Sequence, residues 1–479
     1  MEDMTETKPD KGRALRGVLT ALILAGALAV FILWGLTEST LTVPGAAVAA
    51  ATLCLFALGL VLCLPGAVRF FSGEEKVRRL AASGDRSGAR RRLHPVFGVM
   101  LTLLAARFIL IAVAYVFGRI FSDVHGSVFS SLKDIWLKLD TDAPHYFSIA
   151  ENGYVTSGDE MYSLVFLPLF PALIRAFNFV FKDSFTSAFI INTLCSCGAA
   201  AVIYELALHD AGRRTARLAV VFAFALPAAI FYAAPMSEAL FLLLTASALL
   251  AVRRERFLLA GLLGGLAAFT RSPGAILIVL YAAEAAACAV RKKRSGTLNA
   301  LFAVKLAAGA LLLLSGTFGY LLINRLVFGD WFKFVEFQRD IWYQQPAFFF
   351  DTAALQTDMF FSTVGVANDE ALGLWLPNLL YIGGALLVFA LSARTLRTSY
   401  VLYFAAYFAV VCGASWLLSA PRYLTALVVL PLALAHLCDS RDDGVALGRA
   451  RAKAAIAVSV LLVGQVAYII MYTADYCIY

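Results

Sequence analysis

The sequence predicts an all-α, polytopic membrane protein, for three reasons. Hydrophobic residues make up 61% of the 479-residue chain and charged residues only 15%, well beyond the apolar share of a soluble domain. Apolar stretches of about 20 residues, the length a helix needs to cross a hydrocarbon core of about 30 Å, recur from Gly17 to Met471. The basic residues are also segregated: 28 of the 40 Lys and Arg fall in seven connecting segments that alternate crossings place on one side. Lipid offers no partner to backbone polar groups, so such stretches must be helices. Barrel strands would be half as long and alternate in polarity.

Roughly thirteen spans are expected on this basis. The first, 17–37, follows a basic head (Lys8, Lys11, Arg13, Arg16) as a signal peptide would. It runs for about 20 residues without a small-residue cleavage site before Thr37-Glu38, which predicts a retained anchor. The second, 45–64, closes a hairpin, and a basic polar linker from Arg69 to His94 separates it from the remainder. Residues 1–94 are therefore expected to form a membrane hairpin with a cytoplasmic linker, and residues 95–479 the main membrane domain. In that domain a span at 96–119 leads into a long loop, about 121–183. Spans at 186–207, 215–233, 236–252, 257–270, 273–290 and 299–323 follow through short connections. A second long loop, about 324–372, precedes spans at 372–391, 399–417, 421–437 and 454–472. The apolar segment 164–174 is not counted, because doing so would move Arg213, Arg214, Arg441 and the basic run 291–294 to the opposite side. It is expected to lie at, or dip into, the interface as a helix broken by Pro168 and Pro171.

Charge distribution sets sidedness. The seven basic segments include the N-terminus, 213–217, 253–256, 291–294 and 441–453, and the positive-inside rule places them in the cytoplasm. Both long loops then face away from it. The net charge of +8 is explained by this asymmetry rather than by nucleic acid, which is excluded as a partner. Membrane lipids are the expected surroundings. Eight cysteines lie scattered, most within spans and without metal-ligand spacing, as small core hydrophobes do. Arg107 and Lys305 fall deep in spans, where a charge needs a partner, and Glu205 and Glu284 are the candidate partners.

The residues able to do chemistry gather in the first loop. Asp142, stiffened by Pro144, can accept a proton from a hydroxyl nucleophile, and Asp140 stands two residues away. Facing one cavity, the pair would raise one carboxyl toward neutrality or hold a divalent cation between them; in isolation Asp-x-Asp reads as a solvated acidic loop. His145 and Tyr146 are candidates to bind sugar or phosphate oxygens. Glu238, after Pro235-Met236-Ser237, fits a helix N-terminus, as a cap or as a site residue. Asp330, after Phe328-Gly329, fits either hydrogen bonding to sugar hydroxyls or the end of a turn. The second loop is dense in aromatics (Trp331, Phe332, Phe334, Phe337, Trp342, Tyr343, Phe348, Phe349, Phe350), some of them interfacial anchors.

Several of these segments occur together in a known family. Asp142-Ala143-Pro144-His145-Tyr146, then Ile149-Ala150-Glu151-Asn152-Gly153-Tyr154 and Phe166-Leu167-Pro168-Leu169-Phe170-Pro171, resemble the first-loop signature of the PIG-V family, the GPI mannosyltransferase 2 type. Met236-Ser237-Glu238-Ala239-Leu240-Phe241, Phe269-Thr270-Arg271-Ser272-Pro273-Gly274, Phe328-Gly329-Asp330-Trp331-Phe332-Lys333-Phe334 with Gln338 and Trp342, and Ser419-Ala420-Pro421-Arg422-Tyr423-Leu424 with Pro431 follow in the family's order. The resemblance implies a glycosyltransferase C-like membrane fold and transfer of a sugar, in this family mannose, from a polyprenyl-phosphate donor to a lipid- or glycan-linked acceptor on the extracytoplasmic face. It matches Asp142 to the family's first-loop base. The implied mechanism is inverting, with Arg271 and Arg422, at the outer ends of helices, binding the leaving phosphate bidentately. Arg339 on the second loop is a third candidate. One departure is that Thr141 stands where family members often carry Trp, with Asp140 before it, which leaves the choice of base open. It also leaves open a family member that has lost catalysis.

A transporter or lipid flippase is the competing class. Those proteins place broken helices and charges at mid-membrane in pseudo-symmetric halves, whereas acid here is concentrated in one asymmetric loop. No cofactor is required beyond the divalent-cation alternative at Asp140 and Asp142. The final residues, Tyr476-Cys477-Ile478-Tyr479, carry no Lys-Asp-Glu-Leu-type signal, so a bacterial plasma membrane is expected over an ER membrane.

Overall fold

The computed structural model describes residues 11–38, 42–74, 95–122, 126–137, 141–439, 445–474 and 476–478. Among these the protein is all-helical, and its only extended pairing is an isolated bridge between Pro346 and Ala414. The first hairpin is α1 (Lys11–Thr37) and α2 (Val43–Phe71). α3 (Pro95–Phe121) leads into the first long loop, which is folded into α4 (Val128–Trp136), α5 (Ala143–Asn152), a 3-10 turn (Asp159–Val165) and α6 (Leu169–Phe181). Next come α7 (Ser184–Asp210), α8 (Arg213–Ala225), α9 (Glu238–Arg253), α10 (Phe257–Thr270), α11 (Leu277–Arg294) and α12 (Ala300–Phe328), with 3-10 turns at Pro227–Tyr232 and Ser272–Ile276. The second long loop holds α13 (Lys333–Asp340) and α14 (Phe349–Thr363). A single turn, α15 (Asn368–Glu370), runs through a π turn (Ala371–Trp375) into α16 (Leu376–Ser392). α17 (Thr398–Val411), α18 (Ala420–Thr425), α19 (Val429–Leu437) and α20 (Val445–Thr473) complete the bundle.

Helix length does not reproduce the expected thirteen spans. Among the described residues eight helices are long and apolar enough to cross a bilayer, or nine if the Asp159–Val165 turn and α6, bent by 112° at Pro168, are taken as one element. These eight coincide with the expected spans at 17–37, 45–64, 96–119, 186–207, 273–290, 299–323, 372–391 and 454–472. The others are short. α8 and α10 have 13 and 14 residues, about 20 Å of helix, and the 421–437 run is split into α18 and α19. Pro227 and Pro273 stand at the breaks after α8 and α10, where a ring without N–H ends an i→i−4 ladder, and Pro421 sits in the first turn of α18. Hydropathy does not register a break whose flanks are equally apolar. Unwound backbone at membrane depth is tolerated where protein covers it, and the 3-10 stretch after α8 is buried throughout, from Ala228 to Tyr232.

Capping residues set several starts: Thr42 accepts from the Gly45 N–H (3.1 Å) at α2, Asp183 from Thr186 (2.8 Å) at α7 and Asn299 from Phe302 (2.8 Å) at α12. α10 and α12 approach most intimately. A Cβ on Gly316 would collide with the Gly265 carbonyl, and one on Gly261 with that of Gly309, so these glycines let the two backbones touch, as small residues do in membrane bundles. On its outer side α12 shows Leu311, Leu314, Phe318 and Leu326, the face lipid would cover. α2 packs on α14 and α16, with Phe56 against Phe349 (4.8 Å) and Phe389 (5.7 Å).

The connecting segments rich in Arg and Lys meet at one end of the bundle. Arg253 at the end of α9 binds Asp210 at the end of α7 (2.5 Å), Arg397 before α17 binds Glu284 of α11 and lies 4.9 Å from the Phe70 ring at the end of α2, and Arg214 at the start of α8 faces Asp439 after α19 (3.9 Å). The opposite end of α9 begins at Glu238, 16 residues or about 24 Å away. The expected pairing of Arg107 and Lys305 with Glu205 and Glu284 does not occur. Glu205 pairs with Arg254 (3.1 Å) and Glu284 with Arg397. Lys305 is exposed on α12, where its stem can snorkel, and Arg107 bonds backbone carbonyls instead.

Candidate active site

Four broken elements end at one place. α5 starts directly after Asp142 with Pro144 in its first turn, α9 starts at Glu238, α10 stops at Thr270 so that Arg271 leaves it in extended conformation, and α18 carries Arg422. Arg422 is the hub. Its Nη2 donates to Asp142 Oδ2 (2.6 Å) and to Glu238 Oε1 (2.5 Å), and its Nε donates to Glu238 Oε1 (2.8 Å). Arg271 Nη1 donates to the same Glu238 oxygen (2.8 Å) and to Ser237 Oγ (3.1 Å), and Ser237 Oγ shares a hydrogen bond with the Tyr146 hydroxyl (2.9 Å). Each guanidinium also lies against a ring, Arg422 against Phe231 (4.9 Å) and Arg271 against Tyr423 (4.7 Å), a favourable cation–π arrangement.

The two carboxylates differ in access. The Glu238 side chain is 1% exposed and that of Asp142 is 26% exposed, so Asp142 is the acid that a substrate can reach. Burial alone would raise the Asp142 carboxyl, but the adjoining Arg422, with Arg271 and His145, holds it below its ordinary value. Burial lowers His145 below the usual imidazole range, leaving it neutral near pH 7.

Asp142, His145, Tyr146, Arg271 and Arg422 line a cavity of about 370 Å³. Arg271, Arg422 and Tyr423 contribute to its lining, together with residues of both long loops: Asp142, His145, Phe166, Gln338, Trp342 and Gln344. His145 is fixed by Ser163 (Nδ1 to Oγ, 2.8 Å), stacks on Phe166 (4.6 Å) and meets Trp342 edge-on (5.7 Å). The first loop is pinned in turn. The Tyr154 hydroxyl donates to the Phe166 carbonyl (2.6 Å), Tyr320 of α12 donates to that of Leu164 (2.9 Å), and Gly153 ends α5 with φ of 80°, a conformation side chains with Cβ rarely adopt. These contacts explain why the Asn152-Gly153-Tyr154 and Phe166-to-Pro171 motifs accompany Asp142 in sequence.

Of the residues singled out by sequence, Asp142, His145, Tyr146, Glu238, Arg271 and Arg422 therefore stand together. Asp140 lies outside the described residues. Asp330 and Arg339 stand away from the cavity: Asp330 accepts the Phe332 N–H (3.0 Å) in a surface turn, and Arg339 pairs with its neighbour Asp340 (2.6 Å) in the open. Ser237, Ser419, Gln344 and Tyr423 were not singled out as site residues, although Ser237, Ser419 and Tyr423 lie within the quoted motifs. Gln344 carried no signal. Among the described residues no group of three His, Cys, Asp or Glu stands close enough to hold a metal ion.

The chain is 34% identical over 154 residues to GPI alpha-1,6-mannosyltransferase 2 of Rattus norvegicus, covering 29% of each chain. It is 35% identical over 152 residues to the Mus musculus protein of the same name, covering 28% of this chain and 29% of that one. The chain is similar to the PIG-V relatives. The matched stretch spans less than a third of their length, and no family model matches the chain. Among solved structures, ArnT from Cupriavidus metallidurans bound to undecaprenyl phosphate covers 79% of this chain and 76% of its own, at a TM-score of 0.38 and 13% identity. The PIG-V resemblance read from the motifs thus reappears as measurable identity to curated relatives.

Proposed function

We propose that the protein is an inverting membrane glycosyltransferase that moves a sugar, mannose by analogy with its named relatives, from a polyprenyl-phosphate donor to a hydroxyl of a lipid- or glycan-linked acceptor. The observation that carries this reading is the placement of a reachable carboxylate, Asp142, beside two buried arginines at the mouth of one cavity. The Asp142 oxygen not engaged by Arg422 takes the acceptor hydroxyl proton as that oxygen attacks C1. The C1–O bond to phosphate breaks with its electron pair leaving on the lipid phosphate. Among the described residues Arg271 Nη2 and Nε and Arg422 Nη1 make no hydrogen bond, so both guanidinia keep donors for a phosphodiester. Glu238 accepts from both arginines and fixes their spacing. Trp342, Phe166 and His145 offer flat faces to a pyranose ring. The site faces away from the cytoplasm, toward which the basic end of the bundle points, in a bacterial plasma membrane. If a divalent cation takes part, Asp142 and Asp140 are the candidate ligands.

Purified protein in lipid nanodiscs, given radiolabelled polyprenyl-phosphate mannose and a membrane-lipid extract as acceptor, is expected to transfer label covalently. Asp142→Asn is expected to lower turnover at least about 100-fold, the contribution of a positioned general base, with donor binding retained. Undiminished transfer by that variant would remove Asp142 from the mechanism. Movement of the lipid across the membrane without covalent transfer would instead favour a flippase.

A further inference from the structure

The stretch between α8 and α9 is an unwound crossing. From Phe224 to Ser237 the chain leaves α8, makes one 3-10 segment and turns before α9 begins, and it does so inside the bundle, where water is not at hand to satisfy its carbonyls. Side chains of three neighbouring helices serve that backbone. Gln465 of α20 donates through Nε2 to the carbonyls of Phe224 (3.0 Å) and Leu226 (3.1 Å). Arg107 of α3 donates to those of Tyr232 (2.6 Å) and Ala233 (3.3 Å). Asn192 of α7 donates to those of Ala234 and Met236, the latter at 2.9 Å. Arg107 stands 14 residues before the end of α3, about 21 Å along the helix. Among the described residues its polar partners are these carbonyls and Ser196, with the Phe189 ring 5.3 Å away. A cation that deep in a membrane helix is expensive, and here it is spent on backbone rather than on a carboxylate.

The stretch supports the two arginines that line the cavity. Phe231 supports the Arg422 guanidinium, the Tyr232 hydroxyl donates to the carbonyl of Thr425 on the Arg422 helix (2.7 Å), and Ser237 and Glu238 hold Arg271. We infer that Arg107, Asn192 and Gln465 are positioning residues, which fix the unwound crossing and through it set the spacing of the two arginines that receive the donor phosphate. This rests on the phosphate-binding role given to Arg271 and Arg422 above. Loss of the Arg107 fork takes the side-chain donor from the Ala233 carbonyl and leaves that of Tyr232 to Ser196 alone (3.3 Å), which lets Ser237 and Glu238 shift, so that the arginines no longer converge on one phosphate.

The test uses full-length protein in nanodiscs, with Arg107→Met, Arg107→Lys and Gln465→Leu beside wild type. Polyprenyl phosphate without sugar serves as the binding probe, hydrogen exchange follows the 226–241 segment, and donor kcat and KM are measured. Arg107→Met is expected to raise exchange in 226–241 while α7 and α12 stay protected, and to raise the probe Kd and donor KM about tenfold or more, since misplacements near 1 Å are costly at such sites. Arg107→Lys, which keeps the charge and one donor, is expected to restore part of the KM. Gln465→Leu, a milder change if Arg107→Met does not fold, is expected to shift exchange and KM in the same direction. Unchanged exchange and KM in a folded Arg107→Met or Gln465→Leu protein would overturn the positioning role. Wild type that fails to bind polyprenyl phosphate would instead defeat the functional proposal, while the exchange comparison would still decide the role of Arg107.

Discussion

Arg422 holds Asp142 and Glu238 at once, and the sharing governs how the site responds to pH. The Asp142 carboxyl is held below its ordinary value, so it remains ionised through neutral and mildly acidic conditions. The stability its ion pair contributes is full above the unfolded carboxylate range and is lost only as pH falls through the depressed folded value. The same sign applies to catalysis by the free enzyme, whose acidic limb in kcat/KM is expected below the usual aspartate range. Donor phosphate occupying Arg422 weakens that hold, so the limb in kcat should lie at higher pH than the limb in kcat/KM. Coincident limbs would show that Arg422 does not turn toward substrate. His145, already neutral at pH 7, should add no break near the ordinary imidazole value. The six residues that converge on the cavity were legible in sequence because each lies in a motif whose type suits its place: an acid before Pro144, or arginines at helix ends. Asp330 and Arg339 stand outside the cavity lining, because a place on the second loop does not say which residues turn inward.

Among elements, the long crossings could be read because a predominantly apolar stretch long enough to span, as in the 29-residue helices α2 and α12, has no other stable form in lipid. The short ones could not. In 215–233 and 421–437 the run stays apolar while the helix stops at Pro227 and is split after Thr425, so composition is continuous where backbone is not. Residues at such interruptions line the cavity: Thr270 to Pro273 at the end of α10, and Arg422 and Tyr423 in α18. The short helices must then be held against the continuous ones, above all α10 against α12. Gly316→Val places a branched side chain against the Gly265 carbonyl, and overpacking of this kind costs about 1–3 kcal/mol or more. Thermal unfolding in detergent should shift down by several degrees, whereas Gly383→Ala, where nothing lies within 4 Å, should leave the midpoint in place. Equal midpoints for the two variants would deny α10–α12 packing its role.

For the whole molecule, everything proposed depends on which side the cavity opens. The bundle has two unlike ends. One gathers Arg253, Arg397 and Arg214 with their acidic partners Asp210, Glu284 and Asp439 and is flanked by the run Arg291 to Arg294. The other carries both folded loops and the Asp142 cavity. Translocation resists basic connecting segments of this length, so the proposed topology keeps the first end in the cytoplasm and opens the cavity to the outside, the side from which the proposed donor would enter. The N-terminal hairpin agrees with this polarity: Trp34, at the far end of α1 from Arg13 and Arg16, donates to Asp351 in the second loop (3.1 Å). Single cysteines can decide the matter in a background lacking the native thiols. Ser157 is exposed in the first loop and Lys292 lies near the end of α11. With a membrane-impermeant maleimide on intact cells, Ser157→Cys should be labelled at once and Lys292→Cys only after the membrane is opened. The reverse pattern would turn the cavity toward the cytosol and remove the extracytoplasmic transfer reaction with it.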